Sequence, residues 1–243
     1  MLSHPQLVEA IESEFHPVVV YNNQPGKDAE ILKKFREPAW NYQVIRFLDE
    51  EGKDIIPRKD RVWTLEGVAG RMREALEAIK KEPPAYLKAL SAEAGKETGT
   101  AAFAMFCFWT GERKLGAIDG VLTTEAGWLE GREVTLVTFD RSRLSFAKLL
   151  AAAVSHDCAR KVFTRNPADA ALAKESRLLV GNLTEEYRKA RLSDQKRQLG
   201  GTPFAKLDLS PVQATKVNAF ARVSPKEARR WLSPSQLAEL DQR

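Results

Sequence analysis

Thiols are scarce in this sequence of 243 residues, which contains only two cysteines, Cys107 and Cys158. Two cysteines cannot build the disulfide framework of a small secreted protein. In a reducing compartment, such a pair is more often catalytic or metal-binding than structural. Residues 1–106 contain no cysteine. Because thiol–disulfide exchange requires a thiolate, that part of the chain cannot act as a dithiol reductase.

Long apolar runs are also absent. No segment approaches the ~20 apolar residues that span a membrane, and residues 1–5 are not a basic region followed by an apolar signal core. We therefore expect a cytoplasmic protein with no membrane partner. The net charge is +5, but Lys and Arg alternate with Asp and Glu along most of the chain, as on an ordinary solvated surface. The densest basic stretch, residues 188–197, has no aromatic residue for base stacking, so we expect no nucleic-acid partner.

The first third of the chain has the pattern of a small α/β domain. Apolar residues at helical spacing and capping residues predict three helices, over residues 5–14, 28–35 and 66–80. The β-branched, apolar run Val18–Tyr21 predicts a buried strand. Residues 44–48 and 54–56, on either side of a polar turn, predict a hairpin.

This order of elements resembles a thioredoxin-like domain over about residues 5–82. A thioredoxin carries Cys-x-x-Cys after its second strand, where this chain has residues 22–27, and a cis-proline where it has Gln43. The resemblance therefore implies a thioredoxin-like domain without redox cysteines over residues 1–95.

The remainder of the chain predicts a second domain with a helical extension. The predicted strands are residues 101–106, 121–125 and 133–139, and the predicted helices are residues 111–118, 145–154, 168–179 and 184–199. This order gives a two-layer α/β sandwich over residues 96–200. Three Ser-Pro pairs, at Ser210, Ser224 and Ser233, predict three more helices because serine favours the N-cap and proline the first helical position. They define a helical C-terminal extension over residues 201–243, and the whole chain is of the mixed α/β (α+β) class.

Cys107 falls between a predicted strand and a predicted helix. The apolar run Ala101–Phe106 leads into it, and a helix-compatible segment follows from Gly111. The partial positive charge of a helix N-terminus favours thiolate over thiol, so a cysteine in this position can be nucleophilic. Since an arbitrary cysteine is more often a small buried core residue, the assignment depends on its context.

That context is an ordered series of residues that resembles the A-type methionine sulfoxide reductases, the peptide-methionine (S)-S-oxide reductases. The series is Cys107-Phe108-Trp109, Glu112, Gly120-Val121, Thr124, Ala126-Gly127-Trp128, Gly131, Glu133-Val134, Val137, Phe139-Asp140, Leu144-Ser145, Leu149-Leu150 and His156-Asp157. It extends over about residues 100–200, and it is more specific than Cys-Phe-Trp alone. Phe106 and Thr110 stand where the family motif has flanking glycines.

The resemblance implies a thiol-dependent reductase of methionine sulfoxide, or of a related sulfur compound, in a small molecule or a protein. No cofactor is implied, and the reductant is thioredoxin or another external thiol. Cys107 corresponds to the nucleophile and Glu133 to the acid that protonates the departing oxygen, while Phe108 and Trp109 form the wall for the S-methyl group. Cys158, the second thiol, could resolve the sulfenic acid left on Cys107, or it could be a buried structural cysteine.

Two other classes of function stay open. Cys107, Cys158 and His156 could bind copper(I) or zinc, which suit two thiolates and an imidazole, although ligands without clustered spacing are a weak signal. The chain could also be a non-enzymatic scaffold that binds a partner. The missing Cys-x-x-Cys favours the scaffold, whereas the presence of both Cys107 and Glu133 favours the reductase.

Overall fold

The chain divides into two units, residues 1–91 and 92–243, each with its own buried core. The computed structural model describes residues 2–38, 40, 43–92 and 97–242. The described residues form six strands and ten α-helices, which confirms the mixed α+β class. Among the helices described, none combines the length and the apolar character that crossing a membrane would require.

Helices dominate the first unit, which contains α1 (Pro5–Glu14), α2 (Lys27–Lys34), α3 (Leu65–Ala78) and α4 (Ala85–Ala92). The first three confirm the helices predicted over residues 5–14, 28–35 and 66–80. Thr64 caps α3, since its hydroxyl accepts a hydrogen bond from the Gly67 amide at 3.1 Å. The apolar faces of α1, α3 and α4 share one core, which includes Leu7, Met72 and Leu87. No residue of α2 is buried.

The strands predicted in the first unit do not form in its described residues. Val18, Val19 and Tyr21 are 81%, 72% and 60% exposed, so the prediction of a buried strand there is wrong. The predicted hairpin is reduced to a single bridge between Leu48 and Asp54. Strand propensity expresses how well a side chain fits a half-buried pleated surface, and these segments have no such surface beside them. The described part of this unit therefore lacks the sheet on which the thioredoxin-like interpretation depended.

The second unit is built on a six-stranded sheet with strand order β5-β4-β1-β3-β2-β6. The strands are β1 (Thr98–Ala104), β2 (Val121–Leu129), β3 (Arg132–Asp140), β4 (Lys161–Thr164), β5 (Leu179–Asn182) and β6 (Arg188–Lys189). Only β4 and β5 pair in parallel. Glu130 and Gly131 join β2 to β3, and both have positive φ (50° and 69°), which is the geometry of a two-residue type I′ hairpin.

Six helices accompany this sheet: α5 (Phe108–Gly116), α6 (Phe146–Ser155), α7 (Pro167–Glu175), α8 (Pro211–Phe220), α9 (Pro225–Arg229) and α10 (Pro234–Asp241). The strand and helix order predicted through residue 155 is confirmed, and so are the three helices that begin at Ser-Pro pairs. At α8, the Ser210 hydroxyl accepts from the Gln213 amide, and the Gln213 side chain accepts from the Ser210 amide. This reciprocal capping box fixes the start of the helix.

The helix predicted over residues 184–199 is wrong. That segment contains β6, which pairs with the edge of β2, and a short 3-10 helix, Leu192–Asp194. Strands β4 and β5 were also not predicted, because runs of four residues show too little periodicity. The C-terminal helices belong to the second unit, where α8 lies against α5 and β2.

Candidate functional site

Cys107 is the N-cap residue of α5 and lies three residues after Ala104, where β1 ends. Its extended backbone (φ −140°, ψ 113°) directs its carbonyl to accept hydrogen bonds from the amides of Thr110 (3.1 Å) and Gly111 (3.2 Å). The helix therefore begins at Phe108, earlier than the predicted Gly111. The Cys107 side chain makes no capping hydrogen bond and is half-buried, so its sulfur lies at the helix N-terminus within reach of solvent.

The carboxylate of Glu133 lies at the same helix N-terminus. Its Oε2 accepts a hydrogen bond from the Phe108 amide at 2.8 Å, and its backbone carbonyl accepts from the Met105 amide at 3.2 Å. Glu133 reaches this position from β3, where it pairs with Trp128 of β2. The structure thus brings Glu133 to the residue next to Cys107, although 25 positions separate Glu133 from Phe108 in sequence.

Three aromatic rings form a wall at the start of α5. The Phe108 ring lies 5.9 Å from the Trp109 ring and 5.6 Å from the Trp128 ring, the latter edge-to-face. Phe108 is buried, Trp109 is half-buried and Trp128 is 37% exposed. Trp128 was not assigned to this wall from the sequence. Its place opposite Glu133 in the β2–β3 hairpin is the signal that could have identified it.

Close packing at Gly111 fixes α5 against β3. A Cβ atom at this position would overlap the side chains of Thr135 and Met105, so a larger residue would push the helix away from the sheet. The Thr135 hydroxyl also donates to the Phe108 carbonyl at 3.1 Å. Together these contacts hold the first turn of α5 above the strand that carries Glu133.

A buried ion pair ties the segment after β6 to α5. Glu112 is fully buried, and its two oxygens accept hydrogen bonds from the Lys196 amide (2.8 Å) and the Lys196 ammonium (2.7 Å). Lys196 also donates to the Thr124 carbonyl of β2. Burial raises the pKa of the Glu112 carboxyl against the opposing effect of Lys196. Glu112 belongs to the motif found in the sequence, but its partner could not be identified there.

The opposite end of α5 is held by a buried lysine from α8. The Lys216 ammonium donates to the carbonyls of Gly116 (2.9 Å) and Ile118 (2.7 Å) and lies 5.6 Å from the Trp231 ring. A cation is favourable at a helix C-terminus, where carbonyl groups lack helical partners. Burial nevertheless lowers the pKa of Lys216 to about 8. Nothing in the sequence distinguishes this lysine from exposed ones.

Cys158 lies in the core of the second unit and is fully buried. Its thiol donates to the His156 carbonyl at 3.4 Å. Burial raises the pKa of this thiol, Lys114 opposes that effect, and the nearby Cys107 is among the groups that add to it. The native fold does not expose the Cys158 sulfur to solvent. Its predicted role as the resolving thiol stays a prediction.

The shared metal site proposed as an alternative is wrong for the part of the chain that the structure describes. No group of three or more His, Cys, Asp or Glu side chains there is placed to hold a metal ion. His156 caps the end of α6 and is exposed, whereas Cys158 points into the core. The imidazole is exposed and the thiol is buried, so the two face different surroundings.

A groove of about 360 Å³ lies away from Cys107, between β1, β3 and the segment before β6. Its lining residues are Thr100, Leu136, Arg165, Leu183, Thr184, Glu185 and Tyr187. Leu136 alternates along β3 with Glu133 and Thr135, so the groove is on the opposite face of the sheet from α5. The reactive groups and this cavity therefore do not form one site.

Comparison with known proteins finds a distant structural likeness. No protein-family model and no curated protein matches the chain. Among solved structures, methionine sulfoxide reductase A of Corynebacterium diphtheriae is similar, with 15% sequence identity and a TM-score of 0.36. The match covers 51% of this chain and 86% of that chain. At this distance the likeness concerns the fold and assigns no role to any residue.

Proposed function

We propose that this protein is a thiol-dependent reductase of methionine sulfoxide or a related sulfur compound, with Cys107 as the nucleophile. One observation supports this proposal above the others: the Glu133 carboxyl group binds the Phe108 amide at the N-terminus of α5, where Cys107 is the N-cap residue and the rings of Phe108 and Trp109 follow. Sulfoxide reduction by a thiol requires a nucleophile, a proton donor and an apolar surface for the sulfur substituent. The motif similarity to A-type methionine sulfoxide reductases leads to the same residues.

In the first step, the Cys107 thiolate attacks the sulfoxide sulfur, and the bond between that sulfur and its oxygen breaks. Glu133 in its protonated form supplies the proton that the departing oxygen requires. The attack forms a bond between the two sulfurs. The protonated oxygen then moves to the Cys107 sulfur as a hydroxyl group while this sulfur–sulfur bond breaks, which releases the substrate as a thioether and leaves Cys107 as a sulfenic acid. The substrate sulfur gains two electrons and becomes a thioether, and the cysteine sulfur loses two.

In the second step, an external thiol returns Cys107 to its starting state. One thiol displaces water from the sulfenic acid to form a mixed disulfide, and a second thiol releases Cys107 with formation of a disulfide. Thioredoxin in a reducing cytoplasm would supply both thiols. Cys107 is half-buried and open to such a partner. Cys158 is fully buried, so its participation as a resolving thiol would require local opening of the fold.

Turnover measurements test this proposal directly. NADPH consumption, coupled through thioredoxin reductase and thioredoxin, should depend on free or peptidyl methionine sulfoxide. It should be lost in Cys107→Ser and survive in Cys158→Ser if an external thiol completes the cycle. Absence of turnover dependent on Cys107 with every sulfoxide tried would leave the scaffold interpretation.

Glu133→Gln tests the proton donor separately from the fold. Glutamine can still accept the hydrogen bond from the Phe108 amide but cannot release a proton, so we expect kcat to fall about a hundredfold. The matched control is Glu130→Gln, which alters a partly exposed side chain in the adjoining turn and should keep full activity. Unchanged kcat in a folded Glu133→Gln protein would show that this carboxyl group only caps the helix.

A further inference from the structure

Residues 195–197, which we name the anchored segment, lie against β2 and the aromatic wall. The Gln195 side chain accepts from the Ala126 amide at 3.1 Å and donates to the carbonyls of Ala126 (2.8 Å) and Ala190 (3.1 Å). These bonds make Gln195 an additional rung on the edge of β2. The beginning of the anchored segment is therefore fixed to the sheet.

The backbone is fixed on both sides of Arg197. On one side, Lys196 binds both oxygens of the buried Glu112. On the other, the Gln198 amide donates to the Asn218 side-chain oxygen of α8 at 2.9 Å. Because both neighbours are held by buried groups, the position of Arg197 is set in advance, as specific recognition of a ligand requires.

The guanidinium group of Arg197 lies over the Trp109 ring, 5.3 Å from its centroid. Arg197 is exposed, and no ion pair among the described residues includes it. Contact with the ring stabilises the cation through its planar face. The N–H groups at the edge of the guanidinium stay available to a carboxylate, which they can bind through two hydrogen bonds.

From this arrangement we infer that Arg197 is a specificity-determining residue, which binds the carboxylate of a sulfoxide substrate whose sulfur lies at Cys107. The inference rests on the proposed function and names its substrate class: small sulfoxides that carry a carboxylate on a short aliphatic chain. Arg197, at the Trp109 ring, would attract the carboxylate and so orient such a substrate.

A matched pair of substrates tests the inference during turnover. N-acetylmethionine sulfoxide carries a carboxylate, and its N-methylamide has the same sulfoxide without the charge. Wild type should favour the acid in kcat/KM by about threefold to tenfold. Arg197→Gln should bring the ratio of the two values to about one, and Arg197→Lys should retain part of the preference because it keeps the charge but not the planar fork. Arg177→Gln removes the same charge from an exposed turn after α7 and should leave the ratio as in wild type.

Alkylation of Cys107 tests the inference without any turnover, because iodoacetate is anionic and iodoacetamide is neutral at similar size. The rate with iodoacetate relative to iodoacetamide should fall about threefold or more in Arg197→Gln, but not in Arg177→Gln. An unchanged rate ratio would overturn the inference whatever the enzyme reduces. A lower ratio without sulfoxide turnover would keep the anion-binding role and reject the reductase. A native Cys107 that reacts with neither reagent would overturn the inference, and turnover alone would then decide the proposed function.

Discussion

The buried ammonium of Lys216 should make the stability of the second unit depend on pH in a way that Lys216→Met removes. Lys216 is 3% exposed and donates to the last carbonyls of α5. Burial lowers its pKa from 10.5 to about 8, and the nearby Asp119 only partly offsets this effect. The amine therefore releases its proton at a lower pH in the folded protein than in the unfolded chain.

The direction of the effect follows from proton linkage. Between pH 8 and pH 10.5 the unfolded chain binds more protons at this lysine than the folded protein does, so the free energy of unfolding rises with pH. A pKa change from 10.5 to about 8 corresponds to about 3 kcal/mol in total. Most of this should develop between pH 7 and pH 10. Methionine has no proton to release, so Lys216→Met lacks this rise.

Urea unfolding at pH 7 and pH 10 measures the effect. If both proteins also carry Trp40→Phe and Trp63→Phe, the fluorescence comes from tryptophans of the second unit alone. The difference in unfolding free energy, wild type minus Lys216→Met, should move by about 2 to 3 kcal/mol toward wild type as the pH rises. Other titrating groups, such as Tyr187, are present in both proteins and cancel in the difference.

A difference that stays constant between the two pH values would refute this account of Lys216. It would mean that the pKa of this amine is not lowered in the folded protein, as for an ammonium group that stays hydrated. Lys206→Met, which removes an exposed lysine from the 3-10 helix before α8, is the control. It should show the same dependence on pH as wild type.

Three further predictions concern packing, charge and thiol access. Gly127→Ala should destabilise the second unit by about 1 to 3 kcal/mol in urea unfolding, because its methyl group would overlap the Tyr187 ring. Asp169→Asn should lower the free energy of unfolding by about 2 kcal/mol in the same assay, because Asp169 is buried and binds the Arg141 guanidinium with both oxygens. A loss of less than about 0.5 kcal/mol would indicate that the pair is solvated. Iodoacetamide followed by peptide mass spectrometry should label Cys107 in the native protein and Cys158 only in urea, and equal labelling would show that the core around Cys158 opens readily.

The parts of the fold that the sequence predicted are those whose signals are local. Helices α1 and α3 carry apolar residues at helical spacing, and the Ser-Pro pairs mark the starts of α8 to α10. Val18–Tyr21 has strand composition, but a strand also needs a neighbour, and the sequence does not show whether one exists. The polar segment 184–199 has helical composition, yet hydrogen bonds with β2 hold part of it as strand β6. Tertiary contacts decided both cases.

In the candidate site, too, residues with a local sequence signal could be predicted and residues placed by tertiary contacts could not. Cys107, Phe108 and Trp109 are adjacent in sequence, and Glu133 was linked to them through the family resemblance. The Arg197 guanidinium contacts the Trp109 ring, although Arg197 follows Trp109 by 88 positions in the sequence. Its place depends on the buried bonds of Gln195 and Lys196, which no periodicity or motif encodes. Its contribution to the site could therefore be identified only from the structure.

Helix α5 owes its position to residues from three distant parts of the chain. It has only nine residues, and an isolated helix of that length is marginal in water. Glu133 binds its first turn, Lys196 binds Glu112 in its middle, and Lys216 binds the carbonyl groups at its end. Because these groups act on successive turns of one short helix, loss of any of them should loosen the N-terminus that presents Cys107. The C-terminal helices are thus part of the structure that supports the site, since α8 supplies Lys216 and would be missing from a chain ending at residue 200.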